Sequence, residues 1–169
     1  PGDLTFHIMV DNEAKKTAAL IFQNSCAQIG INIVLEEMET AALKGKLNDA
    51  ALDYELALYQ FTDDLGTDYT LRNQHGSTMQ EDGTLKKNGS NRCNMKDEKF
   101  NEMLDAALVE TDVEQRRQDY YEIENYLDEI CPIVPICTSY INIGAKKGLV
   151  GAIWKPDAKH DFRLIALPE

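Results

Sequence analysis

The stretch from Leu4 to Met38 decides the fold: LTFHIMVDNEAKKTAALIFQNSCAQIGINIVLEEM. Apolar side chains alternate along residues 4–10 and again along residues 31–38, which is the pattern of two β-strands. Between them, apolar residues recur at helical spacing, which predicts an amphipathic helix of about 18 residues. Such a strand, helix and strand form a βαβ unit, whose strands lie parallel and whose helix crosses over in the right-handed sense.

The helix of this unit has clear ends in the sequence. The side chain of Asp11 or Asn12 can cap it, because short polar side chains accept hydrogen bonds from the first free N–H groups. Gly30 can end it in the left-handed conformation. His7, on the first strand, is interpreted as a structural histidine. The face expected to pack on the sheet consists of Ala14, Ala18, Ile21, Phe22, Ser25, Cys26 and Ile29.

The following segments continue the alternation of helix and strand, so the predicted fold class is α/β, with a mixed sheet flanked by helices. A helix capped by Thr40 is predicted over residues 40–47, and a third strand over residues 53–59. Residues 60–96 are polar and lack periodicity. They are therefore expected to form a long, mobile excursion with one short helix at 70–74.

Two helices are expected in the second half of the chain. Asp97 caps the first, and Thr111 with Glu114 forms a capping box for the second, which Pro132 ends. Their apolar faces are Phe100, Met103, Leu104, Ala107 and Leu108 in the first, and Val113, Tyr120, Ile123, Leu127 and Ile130 in the second. The remaining predictions are buried extended segments at 133–136 and 140–145, a turn at 146–148 and an extended piece at 162–167.

Length and composition are those of one globular domain. The chain has 169 residues, of which 43% are hydrophobic and 27% charged, so it can bury a core without disulfides or metals. No feature divides it into two independent domains. Its net charge of −12 argues against sequence-independent binding of nucleic acid, which requires lysine and arginine against phosphate, and against charge-driven docking on anionic membrane. The opening residues Pro1-Gly2 suggest a fragment or a processed chain.

The cysteines Cys26, Cys93, Cys131 and Cys137 form no CxxC pair, and the three histidines are scattered. This pattern disfavours zinc ribbons and thioredoxin-type motifs, and no metal or other cofactor is predicted. A bond between Cys131 and Cys137 would require a sharp turn, because an extended chain of that length spans about 20 Å. Four unpaired, mostly buried thiols are expected, with a bond from Cys26 to a distant cysteine as the alternative.

The segment after the third strand, Tyr59-Gln60-Phe61-Thr62-Asp63, carries the best functional signal. Ligands of α/β sheets gather beyond the carboxyl ends of the strands. The segment offers aromatic surface, free backbone groups and a carboxylate. These groups suit an extended ligand with a cationic end, because a carboxylate forms a strong, charge-assisted hydrogen bond with an ammonium group.

Five stretches carry a family resemblance: LTFHIMV (4–10), QIGINIVLEEME (28–39), YQFTDDLGTDY (59–69), NMKDEKFNEMLDAALVETDVEQRRQDYYEIENYLDEICPIVPI (94–136) and GLVGAIWKPDAKHDFRLIAL (148–167). In this order they resemble the oligopeptide, dipeptide and nickel-binding family (family 5) of extracellular solute-binding proteins of ABC importers. The resemblance covers nearly the whole chain and corresponds to the C-terminal lobe of those proteins, which has a periplasmic-binding-protein-like fold of type II.

The resemblance implies a two-lobed clamp that closes on a solute and presents it to the transmembrane subunits of an ABC permease. Such proteins work outside the cytoplasm, in the periplasm or as cell-surface lipoproteins, and are not enzymes. Residues 1–155 would form the C-terminal lobe, and residues 156–169 would return toward the hinge and an absent N-terminal lobe. In peptide-binding members an aspartate after this strand holds the free amino terminus of the peptide. Asp63 occupies that position, with Asp64 beside it, and backbone groups of residues 59–61 would run along the ligand.

Three alternatives remain open. The chain could be a small α/β enzyme in which Asp63, Asp64 and Asp68 hold a metal ion. It could bind a nickel complex or another solute within the same family. It could also be an interaction module that binds a protein through the helix of Tyr120, Tyr121 and Tyr126, although Tyr120 lies on the predicted core face and is expected to pack there.

Overall fold

The computed structural model describes residues 4–49, 53–61, 66–138, 144, 146–151, 163 and 165–166. The chain divides into two compact units, Pro1–Phe61 (unit 1) and Thr62–Glu169 (unit 2). The predicted extended segments at 140–145 and 162–167 lie largely outside the described residues. Within the described part of the chain, no helix is long and apolar enough to cross a membrane.

Unit 1 is built on a three-stranded parallel sheet in the order β2-β1-β3. Strand β1 pairs along its whole length with β2, from Leu4 opposite Ile31 to Val10 opposite Glu37. The predicted βαβ unit is therefore confirmed. The elements of unit 1 are β1 (Leu4–Val10), α1 (Glu13–Ala27), β2 (Ile31–Glu37), α2 (Thr40–Asn48) and β3 (Leu56–Ala57).

The ends of α1 agree with the prediction, but its buried face does not. Asn12 caps the helix by accepting from the backbone N–H of Lys15 at 3.0 Å, and Gly30 has a φ of 80°. Ala19 and Cys26 are buried, whereas five of the seven residues of the predicted face are exposed. The large ones among them are Ile21, Phe22 and Ile29, which are 65%, 45% and 74% exposed. The helix contributes the small side chains of Ala19 and Cys26 to the core beside the sheet.

The core of unit 1 lies on both sides of β1. On one side Ile8 and Val10 pack with α1 and with Ile33 of β2. On the other side Met9 packs with Leu43 and Leu47 of α2. Because one helix covers each face of β1, the residues at the end of this strand are apolar in succession instead of alternating with polar residues.

Two predictions in unit 1 are wrong in detail. Thr40 is the first residue of α2 rather than its cap, and Glu39 at the cap position makes no capping bond through its side chain. Strand β3 covers only Leu56 and Ala57 instead of residues 53–59, because it pairs only with Ile8 and Met9 at the end of β1.

Unit 2 contains an ordered segment where the sequence suggested a mobile excursion. Helix α3 is longer than the predicted 70–74, and a two-stranded antiparallel hairpin follows it. The hairpin turns at Gly83, which has a φ of 79°. The elements of unit 2 are α3 (Thr67–Gln74), β4 (Ser77–Met79), β5 (Leu85–Lys87), α4 (Glu98–Val109) and α5 (Val113–Ile130).

The side chain of Asn91 explains this order. It is fully buried, and its Nδ2 donates to the backbone oxygens of His75 and Gly76, both at 3.0 Å, and of Met95 at 2.7 Å. Its Oδ1 accepts from the backbone N–H of Met95 at 3.0 Å and from the thiol of Cys93 at 3.3 Å. One side chain thus joins the end of α3 to the segment before α4.

Helices α4 and α5 pack through the residues Phe100, Leu104, Ala107 and Ile123, all of them buried. Asp97 caps α4 as predicted, accepting from the N–H of Phe100 at 3.0 Å. The predicted capping box of α5 is wrong. The cap is Asp112, whose Oδ1 accepts from the N–H groups of Glu114 and Gln115 at 3.0 and 2.9 Å.

The apolar faces predicted for these two helices are only partly correct at their ends. The exposed fractions of Leu108, Val113 and Ile130 are 55%, 65% and 39%. All three lie in terminal turns of α4 or α5, where the two helices offer less surface to each other. Helix α5 ends at Ile130, immediately before Cys131 and Pro132.

The segment after α5 is exposed rather than buried. Val134 is 70% exposed and Ile136 is 63% exposed, although both were predicted in a buried extended segment. All four cysteines are unpaired, as predicted, but Cys131 and Cys137 are exposed. The turn at residues 146–148 is confirmed by a hydrogen bond from the N–H of Leu149 to the oxygen of Lys146 at 3.0 Å.

Through His75, we expect the stability of unit 2 to depend on pH. Its ring packs edge-to-face on Phe100 and its Nδ1 is buried without a hydrogen-bond partner among the described residues. Burial lowers the pKa of His75 below 6.5, so below about pH 6.5 the unfolded chain binds more protons than the folded chain. We therefore expect unit 2 to be less stable at pH 5.5 than at pH 7.5.

Urea unfolding at the two pH values checks this expectation. His75→Gln should abolish the difference, whereas His7→Gln, at an exposed histidine of unit 1, should preserve it. A pH dependence that follows His7 instead of His75 would contradict the assignment.

Candidate functional site

The candidate site lies at the carboxyl edge of the sheet in unit 1. All three strands are parallel, so their carboxyl ends lie at the same edge. Asp11 follows β1, Met38 follows β2 and Tyr59 follows β3 by two residues. The sequence analysis placed the ligand-binding segment at the carboxyl end of the third strand, and the described part of that segment lies here.

The rings of Tyr59 and Phe61 form a pair at this edge. Their centroids are 5.3 Å apart and their planes meet at 81°, an edge-to-face arrangement that is favourable between aromatic rings. Tyr59 also packs against the cluster of Met9, Leu43 and Leu47. Gln60, between the two rings in sequence, is exposed. The core therefore holds the ring of Tyr59 in place, and the polar side chain of Gln60 lies toward solvent.

A buried ion pair beside the rings was not recognised in the sequence. The Asp11 side chain is only 4% exposed and its Oδ1 lies 2.6 Å from the Nζ of Lys15. Burial alone would raise the pKa of the Asp11 carboxyl, but hydrogen bonds from Lys15 and Thr40 outweigh burial and lower that pKa below its usual value. The sequence signal was present, because an aspartate and a lysine four positions apart at a helix start can pair.

Two other ion pairs beside the sheet lie at the surface. Lys16 lies 2.9 Å from Glu37, and the Nδ1 of His7 lies 2.8 Å from Glu36. His7 is thus an exposed, paired histidine on a part of β1 that the helices leave open. None of these pairs is buried as deeply as Asp11, so Asp11 and Lys15 stand apart among the charged groups of this edge.

Of the predicted site residues, Tyr59, Gln60 and Phe61 lie together at this edge, whereas Asp63 and Asp64 fall outside the described residues. Asp68, the third carboxylate of the metal-enzyme alternative, lies in α3. It bonds to Arg72 at 3.2 Å and to the hydroxyl of Tyr120 at 3.4 Å. Among the residues that the structure describes, no group of three His, Cys, Asp or Glu side chains could hold a metal ion.

The tyrosines of α5 serve mainly in packing. Tyr120 and Tyr126 pack against the core shared by α4 and α5, and the Tyr126 hydroxyl donates to Asp97 at 2.8 Å. The packing role predicted for Tyr120 is confirmed. Tyr121 is exposed by 52%, which leaves a single tyrosine of this group at the surface.

Comparison with known proteins supports the resemblance. No family model matches the chain. It is 23% identical over 165 residues to a probable D,D-dipeptide-binding periplasmic protein of Escherichia coli (strain K12), covering 97% of this chain and 30% of that protein. It superposes on HbpA2 from Haemophilus parasuis with a TM-score of 0.75 at 22% identity, covering 100% of this chain and 33% of the other.

A dipeptide-binding protein from Pseudoalteromonas sp. SM9913, solved in complex with Met-Leu, superposes with a TM-score of 0.71 at 19% identity, covering 98% of this chain and 32% of the other. The chain has the solute-binding-protein fold. The predicted α/β, periplasmic-binding-protein-like fold and the resemblance read from the sequence are both confirmed. The chain spans about a third of the length of the solute-binding proteins it matches.

Proposed function

We propose that this chain is the C-terminal lobe of a solute-binding protein of an ABC importer and that it binds peptides through residues 59–64. The aromatic pair Tyr59–Phe61 at the carboxyl edge of the sheet carries the proposal, because this edge is where α/β folds take their ligands. Two of the similar proteins are named for dipeptide binding, which supports a peptide as the solute.

The proposed site works by recognition rather than by catalysis. Tyr59 and Phe61 supply apolar surface for a peptide side chain, and the backbone of residues 59–61 supplies hydrogen-bonding groups. Asp63 would accept hydrogen bonds from the amino terminus of the peptide, with Asp64 adding negative charge. Binding then shifts an equilibrium between open and closed forms toward the closed form, by as much as the two affinities differ.

The proposal extends to the partners and the place of action. The solute would be held between this lobe, formed by residues 1–155, and an N-terminal lobe toward which residues 156–169 return. The loaded protein would deliver the solute to the transmembrane subunits of an ABC permease. This places the protein outside the cytoplasm, in the periplasm or on the cell surface as a lipoprotein.

Titration of the isotope-labelled chain with short peptides, followed by NMR, tests the binding proposal. One lobe supplies only part of the contacts, so we expect a Kd on the order of 1 mM. Shifts should concentrate at residues 59–64, and N-acetylated peptides should bind several-fold more weakly because they lack the ammonium group. Shifts confined to unit 2, or none at 59–64 at saturation, would contradict the proposal.

Asp63→Asn is the matching variant. It should remove the difference between free and acetylated peptides, because a neutral amide no longer forms a charge-assisted bond with the ammonium group. Asp53→Asn is the control, since Asp53 is an exposed carboxylate before β3 with no role in the proposed site. An equal loss in both variants would remove Asp63 from the site. A response to Ni²⁺ with histidine, in place of peptide, would favour the nickel alternative.

A further inference from the structure

The carboxylate of Asp11 connects three elements at the carboxyl edge of the sheet. Its Oδ1 accepts from the Nζ of Lys15 at 2.6 Å and from the Nδ2 of Asn12 at 3.1 Å. The side chain of Thr40 also bonds to it. Asp11 follows β1, Asn12 caps α1, Lys15 lies in the first turn of α1, and Thr40 begins α2. The carboxylate therefore fixes the starts of both helices relative to the end of β1.

Lys15 extends this connection to the residues that follow β3. Its side chain is 19% exposed, and lysines are rarely so buried unless they are paired. Its Nζ lies 5.8 Å from the centroid of the Tyr59 ring, a distance at which a cation is attracted to an aromatic face. Tyr59 in turn meets Phe61 edge-to-face. A fixed ammonium group thus lies against one ring of the aromatic pair.

We propose that Asp11 and Lys15 are positioning residues for the aromatic pair: Asp11 holds the Lys15 ammonium group in place, and that group holds the ring of Tyr59, and through it Phe61, in the orientation that meets the solute. The consequence for binding rests on the proposed function. The positioning itself can be measured without any solute, so the two can fail separately.

The chain offers a matched control on the same helix. Lys16 is also ion-paired, to Glu37 at 2.9 Å, but that pair is at the surface and neither residue belongs to the aromatic pair or its support. Lys15→Met keeps most of the apolar stem of the side chain and removes its charge. Lys16→Met makes the same change at the adjacent position. Lys15→Arg restores a cation that can still bond to Asp11.

The unsubstituted chain gives the first test. In its NMR spectrum the ε-methylene protons of Lys15 should be shifted upfield by the Tyr59 ring and show cross-peaks to it, and those of Lys16 should not. Signals of Lys15 that match those of Lys16, with no cross-peak to Tyr59, would overturn the proposal whether or not any variant folds.

The variants give the second test. Lys15→Met should move the ring signals of both Tyr59 and Phe61 while the backbone signals of β1 and β2 stay in place, Lys16→Met should leave the rings unchanged, and Lys15→Arg should restore most of the original positions. The positioning role of Lys15 would be contradicted if the ring signals did not change in Lys15→Met, or if they changed equally in both methionine variants.

Solute affinity separates this inference from the proposed function. If peptides bind at residues 59–64, Lys15→Met should weaken their binding about threefold to tenfold, as expected for loss of one cation–aromatic contact, and Lys15→Arg should recover it. Unchanged affinity in Lys15→Met would contradict the role in binding. If no peptide binds the unsubstituted chain, the proposed function fails while the ring measurements still decide the positioning.

Discussion

Replacing Asn91 with alanine is expected to lower the free energy of unfolding of unit 2 by about 3 kcal/mol or more. The side chain makes five hydrogen bonds, three as donor to backbone oxygens and two as acceptor. Removing it leaves buried backbone groups of His75 and Met95 without those partners, and each unsatisfied buried group costs about 1–3 kcal/mol. The backbone oxygen of Gly76 keeps a bond from the N–H of Asn88 at 3.0 Å. Water can recover part of this loss only if it enters the space that the side chain vacates.

Urea unfolding and amide hydrogen exchange measure this effect. Exchange should accelerate most for the amides of β4 and β5 and for Met95, whose N–H loses its acceptor. Asn91→Asp should be at least as destabilising, because it removes the three donor bonds and buries a charge. Asn24→Ala, at an exposed position of α1, should change stability by less than about 0.5 kcal/mol. Equal stability of the Asn91 and Asn24 variants would show that the hydrogen bonds of Asn91 do not hold the segment.

Gly76→Ala is expected to destabilise unit 2 by about 2 kcal/mol, as is typical when atoms are forced into a packed site. A Cβ at Gly76 would lie 2.5 Å from the backbone oxygen of Arg72 and 2.9 Å from the Nδ2 of Asn88. That oxygen already accepts from the Gly76 N–H and from the Asn88 side chain. Relief of the contact must therefore move the end of α3 or break the bond to Asn88.

Gly45→Ala is the matched control and should have the opposite sign. Gly45 lies in α2, and a Cβ there meets nothing within 4 Å. Alanine restricts the unfolded chain and favours helix, so this variant should gain about 0.5–1 kcal/mol. Thermal unfolding of both variants beside the unsubstituted chain decides the matter. A stable Gly76→Ala variant would mean that the turn after α3 is less constrained than its contacts imply.

The sequence predicts well those parts of the fold in which a local residue pattern is compatible with only one type of secondary structure. The strands at 4–10 and 31–37 follow from alternation, and Asn12 and Asp97 follow from the hydrogen-bonding capacity of short polar side chains. Strand β3 is predicted too long, because alternation continues in the sequence beyond the two residues for which β1 offers a partner.

The features that the sequence analysis did not predict have one physical cause in common. They depend on contacts between residues that are distant in sequence. The hairpin after α3 is held by Asn91, and a polar segment gives no apolar pattern that would reveal such a bond network. The buried face of α1, which includes Ala19 and Cys26, depends on how the helix lies on the sheet, and residue spacing alone does not specify that. The sequence indicates only a possible helix cap at Asp11, because the burial of its side chain depends on the positions of α2 and Lys15.

The regular pairing of β1 with β2 has a kinetic consequence. Each residue of β1 meets a partner 27 positions further along, from Leu4 with Ile31 to Val10 with Glu37, and one helix spans the interval. Parallel pairing is usually slow to form, because distant strands must find each other before any contact rewards the search. Here the two strands are close in sequence, and formation of the helix between them shortens the distance that separates them. The folding nucleus of unit 1 can therefore assemble early, even while a ribosome is still extending the chain.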